Sequence, residues 1–378
     1  MIPRETLIEI AGLAARRLHS HPWKVWFWGD SIGLEGLLDA TALTGDPSHA
    51  AYVHGLLKGW IAREGARSQF DYTAPGVALL RVYESTGDQF LLDAALRHAE
   101  YMAAFRRTTA GAYMRYENAA IELPPELPGD HPAAAAAGQA KAVAGGGPCV
   151  FVDSVHFDGP FYAKLFDVTG NAGYRQLALD NVLSQVELLY DVEAGLFHHF
   201  WIERTGRPNG VLWARGNGWG LLGVLQTIEH IGVDSPEARP LRDLILRSLA
   251  RLAGLQHESG AWHTVLTDPS SYVEASTAAF FSDIICRASR LGIVDITAYR
   301  PVVEKAMEYL LGMVRPDGAL DGVSYETFPS TRVDHYKTMP RGSMSPWGQG
   351  PLLTAAWSYH EVLVQSSRKV SEEVRAIG

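Results

Sequence analysis

A three-residue signature recurs along this chain: Thr44-Gly45-Asp46, Thr86-Gly87-Asp88 and Thr169-Gly170-Asn171. Each copy ends one helical stretch and opens another. Glycine stops a helix by adopting the left-handed conformation, and Asp or Asn caps the helix that follows. Gly232-Val233-Asp234 and Gly292-Ile293-Val294-Asp295 occupy the same place further on. The step from Gly87 to Gly170 is about twice the step from Gly45 to Gly87. It reads as close to two such steps, with an inserted loop replacing part of one. Each interval holds two helical stretches of different kinds. One is apolar on nearly all sides, as in GPFYAKLFDVT and NGWGLLGVLQTIEHI; the other is amphipathic, as in PEARPLRDLILRSLARLAGLQ. A helix that is apolar all round must lie inside other helices. An inner ring of helices within an outer ring satisfies this, and six helix pairs would close it. An open solenoid of the same pairs would leave a large exposed apolar face, so the pattern predicts a closed, all-α toroid formed by one domain over residues 1–378. Short runs such as AYMRYE and AGLFHHFWIE read as hairpin strands or rim loops.

Composition narrows the function classes. Of 378 residues, 47% are hydrophobic and 20% charged, with a formal charge of −9. That is enough apolar surface to exclude general disorder. The negative balance and the lack of a Lys/Arg run argue against nucleic acid. No apolar stretch reaches the ~20 residues of a membrane span. The N-terminal segment carries Arg4, Glu5 and Glu9 and lacks a signal-peptide apolar core, so a cytoplasmic protein is expected. Two cysteines, Cys149 and Cys286, form no disulfide framework and no zinc-ligand spacing. They fit a reducing compartment, with one secreted disulfide as the alternative.

Residues that could carry chemistry cluster between the helical stretches. Trp23, Trp26 and Trp28 crowd one such segment, where aromatic rings serve either as core or as platforms for sugar C–H faces. Asp30 beyond them reads first as a helix N-cap. Asp71 lies in FDYTAPG, where Pro75 and Gly76 already mark the turn. Asp153 lies between apolar residues at the head of an inner helix. Desolvation there raises a carboxyl pKa and keeps it a proton donor near neutrality, whereas a capping role would lower it. His198 and His199 cannot both face one way on a strand, so one is expected inward and one in solvent. Arg215, within Trp213-Ala214-Arg215-Gly216-Asn217-Gly218-Trp219, offers a planar fork for carboxylates beside a helix N-terminus. Its flanking residues are hard to explain as packing. Lys337 and Arg341 read as cations for an anionic substrate or as plain surface charge. Residues 118–148, rich in Pro, Ala and Gly, read either as a lid or as a disordered insertion.

WARGNGW, SGAWHTVL with SYVEASTAAF, FVDSVHFDGPFYAKL and PWGQGPLL together resemble glycoside hydrolase family 105, the unsaturated rhamnogalacturonyl hydrolases. The unsaturated glucuronyl hydrolases of family 88 share the general plan. The resemblance runs from about Trp28 to Trp357. It implies an (α/α)6 barrel and a hydration of the C4=C5 double bond that lyases leave in a terminal galacturonyl or glucuronyl residue. It also implies that no metal or organic cofactor is used. Asp153 matches the acid that protonates C4 and then serves as base for the water. Asp71 matches a second aspartate that holds sugar hydroxyls. His199, Trp213 and Arg215 match substrate-contacting residues, and Trp28 falls where the family has a sugar-facing aromatic. Arg215 is expected to face the substrate and to reach Asp153 only through it. The departures are His156 and Asp158, where apolar residues are expected, and the 118–148 insertion. The implied partner is an unsaturated oligosaccharide; composition points to neither nucleic acid nor membrane, and the negative charge is compatible with a monomer or homodimer. Two other readings fit the same barrel. One is a sugar 2-epimerase using His199, His263 and His335; the other is a non-catalytic oligosaccharide-binding protein.

Overall fold

The computed structural model describes residues 1–63, 75–116 and 148–364. Asp71 and most of the 118–148 segment lie outside the described residues. Helices α1 (Arg4–His19), α2 (Trp28–Thr44), α3 (Ser48–Ala62), α4 (Gly76–Thr86) and α5 (Gln89–Met102) come first. They are followed by α6 (Asp153–Thr169), α7 (Ala172–Leu189), α8 (Ala214–Ile231) and α9 (Arg239–Gly254), then α10 (Ala275–Arg290), α11 (Ile296–Met313), the short α12 (Val333–Lys337) and α13 (Pro346–Tyr359). Helices α2, α4, α6, α8, α10 and α13 pack each on the next, and α13 packs back on α2, closing a ring. Around them α3, α5, α7, α9, α11 and α1 each cover one or two inner helices. The result is the expected (α/α)6 barrel.

The glycine marks separate the six helical pairs. Gly45, Gly87, Gly170, Gly232 and Gly292 all take left-handed-side φ, between 67° and 102°. In the TG(D/N) copies the threonine does two jobs. The Thr169 hydroxyl donates to the Leu165 carbonyl at 2.6 Å and accepts the Asn171 N–H at 3.2 Å, and Thr44 and Thr86 repeat both bonds. Asp88, Asn171 and Asp295 then cap α5, α7 and α11 as expected. Asp234 does not cap; it pairs with Arg242 at 2.9 Å. Among the described residues, the step from Gly87 to Gly170 holds one helical pair, α5 and α6.

Because inner and outer helices alternate along the chain, all six inner helices run the same way. Contacts agree: Trp28, near the start of α2, meets Trp219 of α8 and Trp347 of α13. At the other end, Asp39 of α2 pairs with Arg81 of α4 at 2.5 Å. Six helix N-termini therefore converge on one mouth.

The short strands lie at or near this mouth. They are β1 (Arg115–Tyr116), β2 (Pro148–Phe151), β3 (Tyr190–Asp191), β4 (Leu196–Phe197), β5 (Phe200–Ile202), β6 (Arg207–Pro208), β7 (Trp262–His263), β8 (Val273–Glu274), β9 (Val323–Ser324) and β10 (Arg341–Gly342). One antiparallel sheet has the order β1-β2-β5-β6, and three two-stranded ribbons pair β3 with β4, β7 with β8 and β9 with β10.

The inner helices are less uniformly apolar than their sequences suggest. Glu35 of α2 meets His156 at 3.2 Å and Gln226 at 2.7 Å. Asp158 is held by Arg115 at 2.9 and 3.1 Å and by Gln185 at 2.9 Å. The two departures from the family pattern are thus buried polar pairs, as interior charge requires. Cys149 and Cys286 are both buried. Among the described residues, no helix is long and apolar enough to cross a membrane, and no cluster of side chains is suited to a metal.

Candidate active site

Every described candidate residue lies at the head of an inner helix or in the rim beside it. Asp153 is the first residue of α6; Val152 occupies the cap position and there is no side-chain cap there. Asp153 is therefore not the N-cap, and its carboxyl keeps 16% of its surface open. The β2–β5 pairing sets Phe151 opposite Phe200, and the Val152 N–H donates to the His199 carbonyl at 2.8 Å. This short sheet brings His199 to Asp153: Nε2 faces the carboxyl Oδ2 at 3.7 Å.

His199 is walled by Phe151, Phe200, Trp213 and Tyr336, with the Trp213 ring 4.4 Å away. Burial, helped by the positive charge of Arg215, pushes its pKa down to about 3. It is a neutral imidazole at any ordinary pH. Nδ1 meets the Tyr336 hydroxyl at 2.6 Å. His198 points the other way, as expected, but toward Asp191 at 3.5 Å and only partly into solvent.

Arg215 departs from expectation. Its side chain is fully buried, and protein groups hold both terminal nitrogens. Nη1 donates to Glu274 and, at 2.6 Å, to the Ser324 hydroxyl. Nη2 donates to the Tyr325 carbonyl at 3.1 Å and to the Thr327 hydroxyl at 2.8 Å. The guanidinium also lies over the Trp213 ring. The fork thus grips a protein carboxylate and the chain after β9, and its charge reaches the site through Trp213 and His199. The flanking motif is packing after all. Asn217 bridges both backbone groups of Phe197, accepting at 2.7 Å and donating at 2.9 Å. A Cβ on Gly223, one turn beyond the motif, would sit 2.2 Å from the Val155 carbonyl, so glycine is what lets α8 lie directly on α6.

Trp28 is half-buried at the mouth, its ring 4.8 Å from that of Trp347. Trp26 is core, stacked on Trp60 at 4.4 Å. Asp30 is not an N-cap; that place belongs to Phe27. Its carboxylate accepts from the N–H groups of Lys24 and Val25 at 2.7 and 2.9 Å and meets His21 at 3.0 Å. It thereby holds Val25 at a φ of 67°, an uncommon conformation for a β-branched residue, and fixes the loop that presents Trp28. Lys337 is tied to Asp268 at 3.0 Å and to Ser270 at 2.7 Å. Arg341 is exposed and lies over the Tyr272 ring. His263 donates through Nδ1 to the Ser271 carbonyl and packs on His257.

Three site components carried no individual signal in the sequence: Glu274, Tyr336 and Asn209. Each acts through a partner far along the chain. The nearest clue to Tyr336 is its place between His335 and Lys337, both already singled out as candidate residues.

Comparison with known proteins agrees with the resemblance read from WARGNGW and its companions. YesR of Bacillus subtilis (strain 168), an unsaturated rhamnogalacturonyl hydrolase, is 27% identical over 335 residues, covering 87% of this chain and 88% of that protein. A structure from Salmonella enterica serovar Paratyphi A, described as a possible member of glycoside hydrolase family 105, superposes with a TM-score of 0.78 at 25% identity, covering 95% of this chain and 94% of that one. The unsaturated glucuronyl hydrolase of Bacillus sp. GL1 shares the fold, with a TM-score of 0.68 at 17% identity over 94% of this chain and 96% of that one. The family model of Glycosyl Hydrolase Family 88 matches residues 9–363, and the chain belongs to that family.

Proposed function

We propose that this glycoside hydrolase releases a Δ4,5-unsaturated uronic acid, galacturonyl or glucuronyl, from the non-reducing end of lyase-generated oligosaccharides. The observation that carries the reading is Asp153 at the head of α6, partly open, against a buried neutral His199 under Trp213. In the proposed reaction the Asp153 carboxyl gives its proton to C4, and the electron pair of the C4=C5 bond forms the new C–H bond. Water adds its oxygen to C5 and returns one proton to Asp153, restoring the acid. The resulting C5 hemiketal opens to a ketone, and the C1 hemiacetal so exposed lets the aglycone go as an alcohol. One water is consumed. Trp28 supplies an aromatic face for the sugar and Asp71 its hydroxyl contacts, while Trp213, buried between His199 and Arg215, backs the site and Arg215 gives a positive field rather than a direct grip. No cofactor enters the scheme.

YesR's activity supports a rhamnose-linked aglycone. We propose that it works as a cytoplasmic monomer or homodimer on such oligosaccharides, without nucleic acid or membrane as partner. For the epimerase reading, His263 and His335 would have to join His199. Among the described residues no contact links them, and His199 Nδ1 is already engaged by Tyr336. The test is loss of the ultraviolet absorbance of the conjugated C4=C5 carboxylate. Unsaturated disaccharides from rhamnogalacturonan, ulvan and glycosaminoglycans would be offered to wild type and to Asp153→Asn. Decay with one substrate, absent in the variant, supports the reading; intact absorbance with all of them refutes it.

A further inference from the structure

We propose that Tyr325 and Phe328, two exposed rings on the segment between β9 and α12, form the platform for the aglycone, the sugar to which the unsaturated uronate is joined. The inference rests on the hydration reading above, which puts the uronate at Asp153 and leaves the next sugar to lie along the rim.

The segment from Ser324 to Tyr336 runs beside the site from Trp28 to Asp153. At its start, Trp347 Nε1 donates to the Ser324 carbonyl at 2.9 Å, and the Trp347 ring lies 4.8 Å from that of Trp28. At its end, the Tyr336 hydroxyl meets His199 Nδ1 at 2.6 Å, and His199 Nε2 faces the Asp153 carboxyl at 3.7 Å. Between these ends the strap is fastened to the wall of the site. Arg215 donates to the Tyr325 carbonyl at 3.1 Å and to the Thr327 hydroxyl at 2.8 Å. Asn209 Nδ2 donates to the Ser330 carbonyl at 2.9 Å. The buried arginine of WARGNGW thus acts on the substrate at one remove, by setting the course of this strap.

With those polar groups turned to the wall, the strap presents Tyr325 and Phe328 on its open side, with 48% and 40% of their surface exposed. Exposed apolar side chains scattered singly are ordinary. Phe90, Tyr101, Leu183 and Leu246 are such cases, all on outer helices or at their ends. Two rings three residues apart on a fastened strap beside a carbohydrate site are a different case. Neither can retreat. Phe328 stands between Thr327, held by Arg215, and the buried Pro329 and Ser330. The Tyr325 ring lies across Gly342 of β10. A Cβ on that glycine would strike the phenol oxygen and come within 2.6 Å of Cζ. One side of the ring therefore rests on bare backbone, and the rest is open to solvent. An aromatic face held in this way takes the C–H face of a sugar ring. Phe328 has no polar end, so it favours carbon-bound hydrogen over hydroxyl. A neutral 6-deoxyhexose, with a methyl where other hexoses carry a hydroxymethyl, buries the most apolar surface on such a pair.

The experiment compares two substrates of the full chain. One is the unsaturated uronyl-rhamnose disaccharide; the other is the methyl glycoside of the same unsaturated uronate, which has no aglycone ring. Tyr325→Ala and Phe328→Ala should each raise KM for the disaccharide about 5–30-fold. They should leave kcat within about threefold and kcat/KM for the methyl glycoside within about twofold. Gly342→Ala should repeat the effect of Tyr325→Ala while keeping the ring, because the added methyl displaces only the far end of that side chain. Titration calorimetry of the disaccharide into Asp153→Asn, with and without each ring, reads the platform apart from the chemistry, and Kd should rise by the same factor. Unchanged KM in both ring variants overturns the proposal, and so does an equal loss on both substrates. A higher kcat/KM with a hexosamine aglycone than with rhamnose overturns the choice of sugar. A wild type that hydrates neither substrate, with Kd still raised by loss of either ring, supports the platform and refutes the hydration reading. Absence of both hydration and binding overturns both.

Discussion

Replacing Arg215 separates two roles that the sequence left merged. Were it a substrate ligand, Arg215→Ala would weaken binding and leave the fold alone. The structure predicts the reverse order of effects. The guanidinium is fully buried and donates to Glu274, Ser324, Tyr325 and Thr327. Truncation leaves the Glu274 carboxylate buried without its counter-charge, though Ser276 still donates to it at 2.7 Å and the Ser324 N–H at 3.2 Å. Breaking a buried ion pair from one side costs about 3–5 kcal/mol. With a urea m-value of about 3 kcal/mol/M, the midpoint should drop by about 1 M or more. Arg215→Lys keeps the charge but not the planar fork, so it should lose the Tyr325 and Thr327 bonds and fall between wild type and Ala. Adding Glu274→Ala to Arg215→Ala should recover part of the loss, because no buried charge is then orphaned. The assay is urea unfolding of all four proteins, with KM and kcat measured on the folded ones. Stability of Arg215→Ala within about 0.5 kcal/mol of wild type, with KM alone raised, would refute this reasoning and restore Arg215 as a direct ligand.

Other expectations follow from the same geometry. His199 has a folded pKa of about 3, below the ordinary 6.5, so between these values the unfolded chain binds a proton that the fold refuses. Stability should therefore fall as pH drops through that window, by up to about 1.4 kcal/mol per unit, and His199→Gln should flatten the dependence in urea titrations run from pH 7 to 4. Gly223→Ala should destabilise by about 1–3 kcal/mol, since its Cβ would strike the Val155 carbonyl. Gly55→Ala in α3, with no atom within 4 Å of the added methyl, should stabilise by about 0.5–1 kcal/mol; thermal melts decide both. Trp28→Ala should raise KM by about 5–30-fold with less effect on kcat, as loss of an aromatic sugar platform worth about 1–2 kcal/mol predicts; an unchanged KM would place Trp28 in the core alone.

How much of this was visible in the sequence depends on range. The Thr-Gly-Asp marks are local, and their hydrogen bonds span two to four residues, so the helix stops could be read directly. The apolar and amphipathic helices alternate because one ring lies inside the other, and that too is written residue by residue. The heads of inner helices were legible as places of chemistry for the same reason. What stayed hidden joins distant segments. Arg215 and Glu274 are 59 residues apart, and His199 and Tyr336 are 137 apart. Nothing near Arg215 indicates that its fork is filled by protein, which is why its neighbours looked like a binding motif. The glycines and Asn217 of that motif make sense only beside Val152, Phe197 and Phe280, which the fold supplies. Asp30 misled for a different reason: its spacing suits a cap, but a loop with a strained Val25 competes for the carboxylate and wins.

The placement of Asp153 sets two physical demands against each other. The mouth must attract an anionic sugar although the chain carries −9. Among the described residues, Arg215 is matched by Glu274 and Lys337 by Asp268, while Lys24 and Arg341 lie over the Phe27 and Tyr272 rings. Six inner-helix N-termini aimed at the same opening supply the remaining positive potential through unpaired backbone N–H groups. The basic groups Arg81, Lys164, Arg287 and Arg290 are kept toward the opposite ends, where helix C-termini favour them. The same potential that draws a uronate also favours the ionised form of any carboxyl at a helix head, by about 0.3–1 kcal/mol. An acid that protonates carbon needs the opposite bias. A buried, neutral His199 at 3.7 Å adds no positive charge against that bias. A protonated His199 would instead stabilise the carboxylate. For the acid role proposed for Asp153, the burial that keeps His199 neutral is therefore a requirement of placing a carbon acid at the positive end of a helix, and not a by-product of packing.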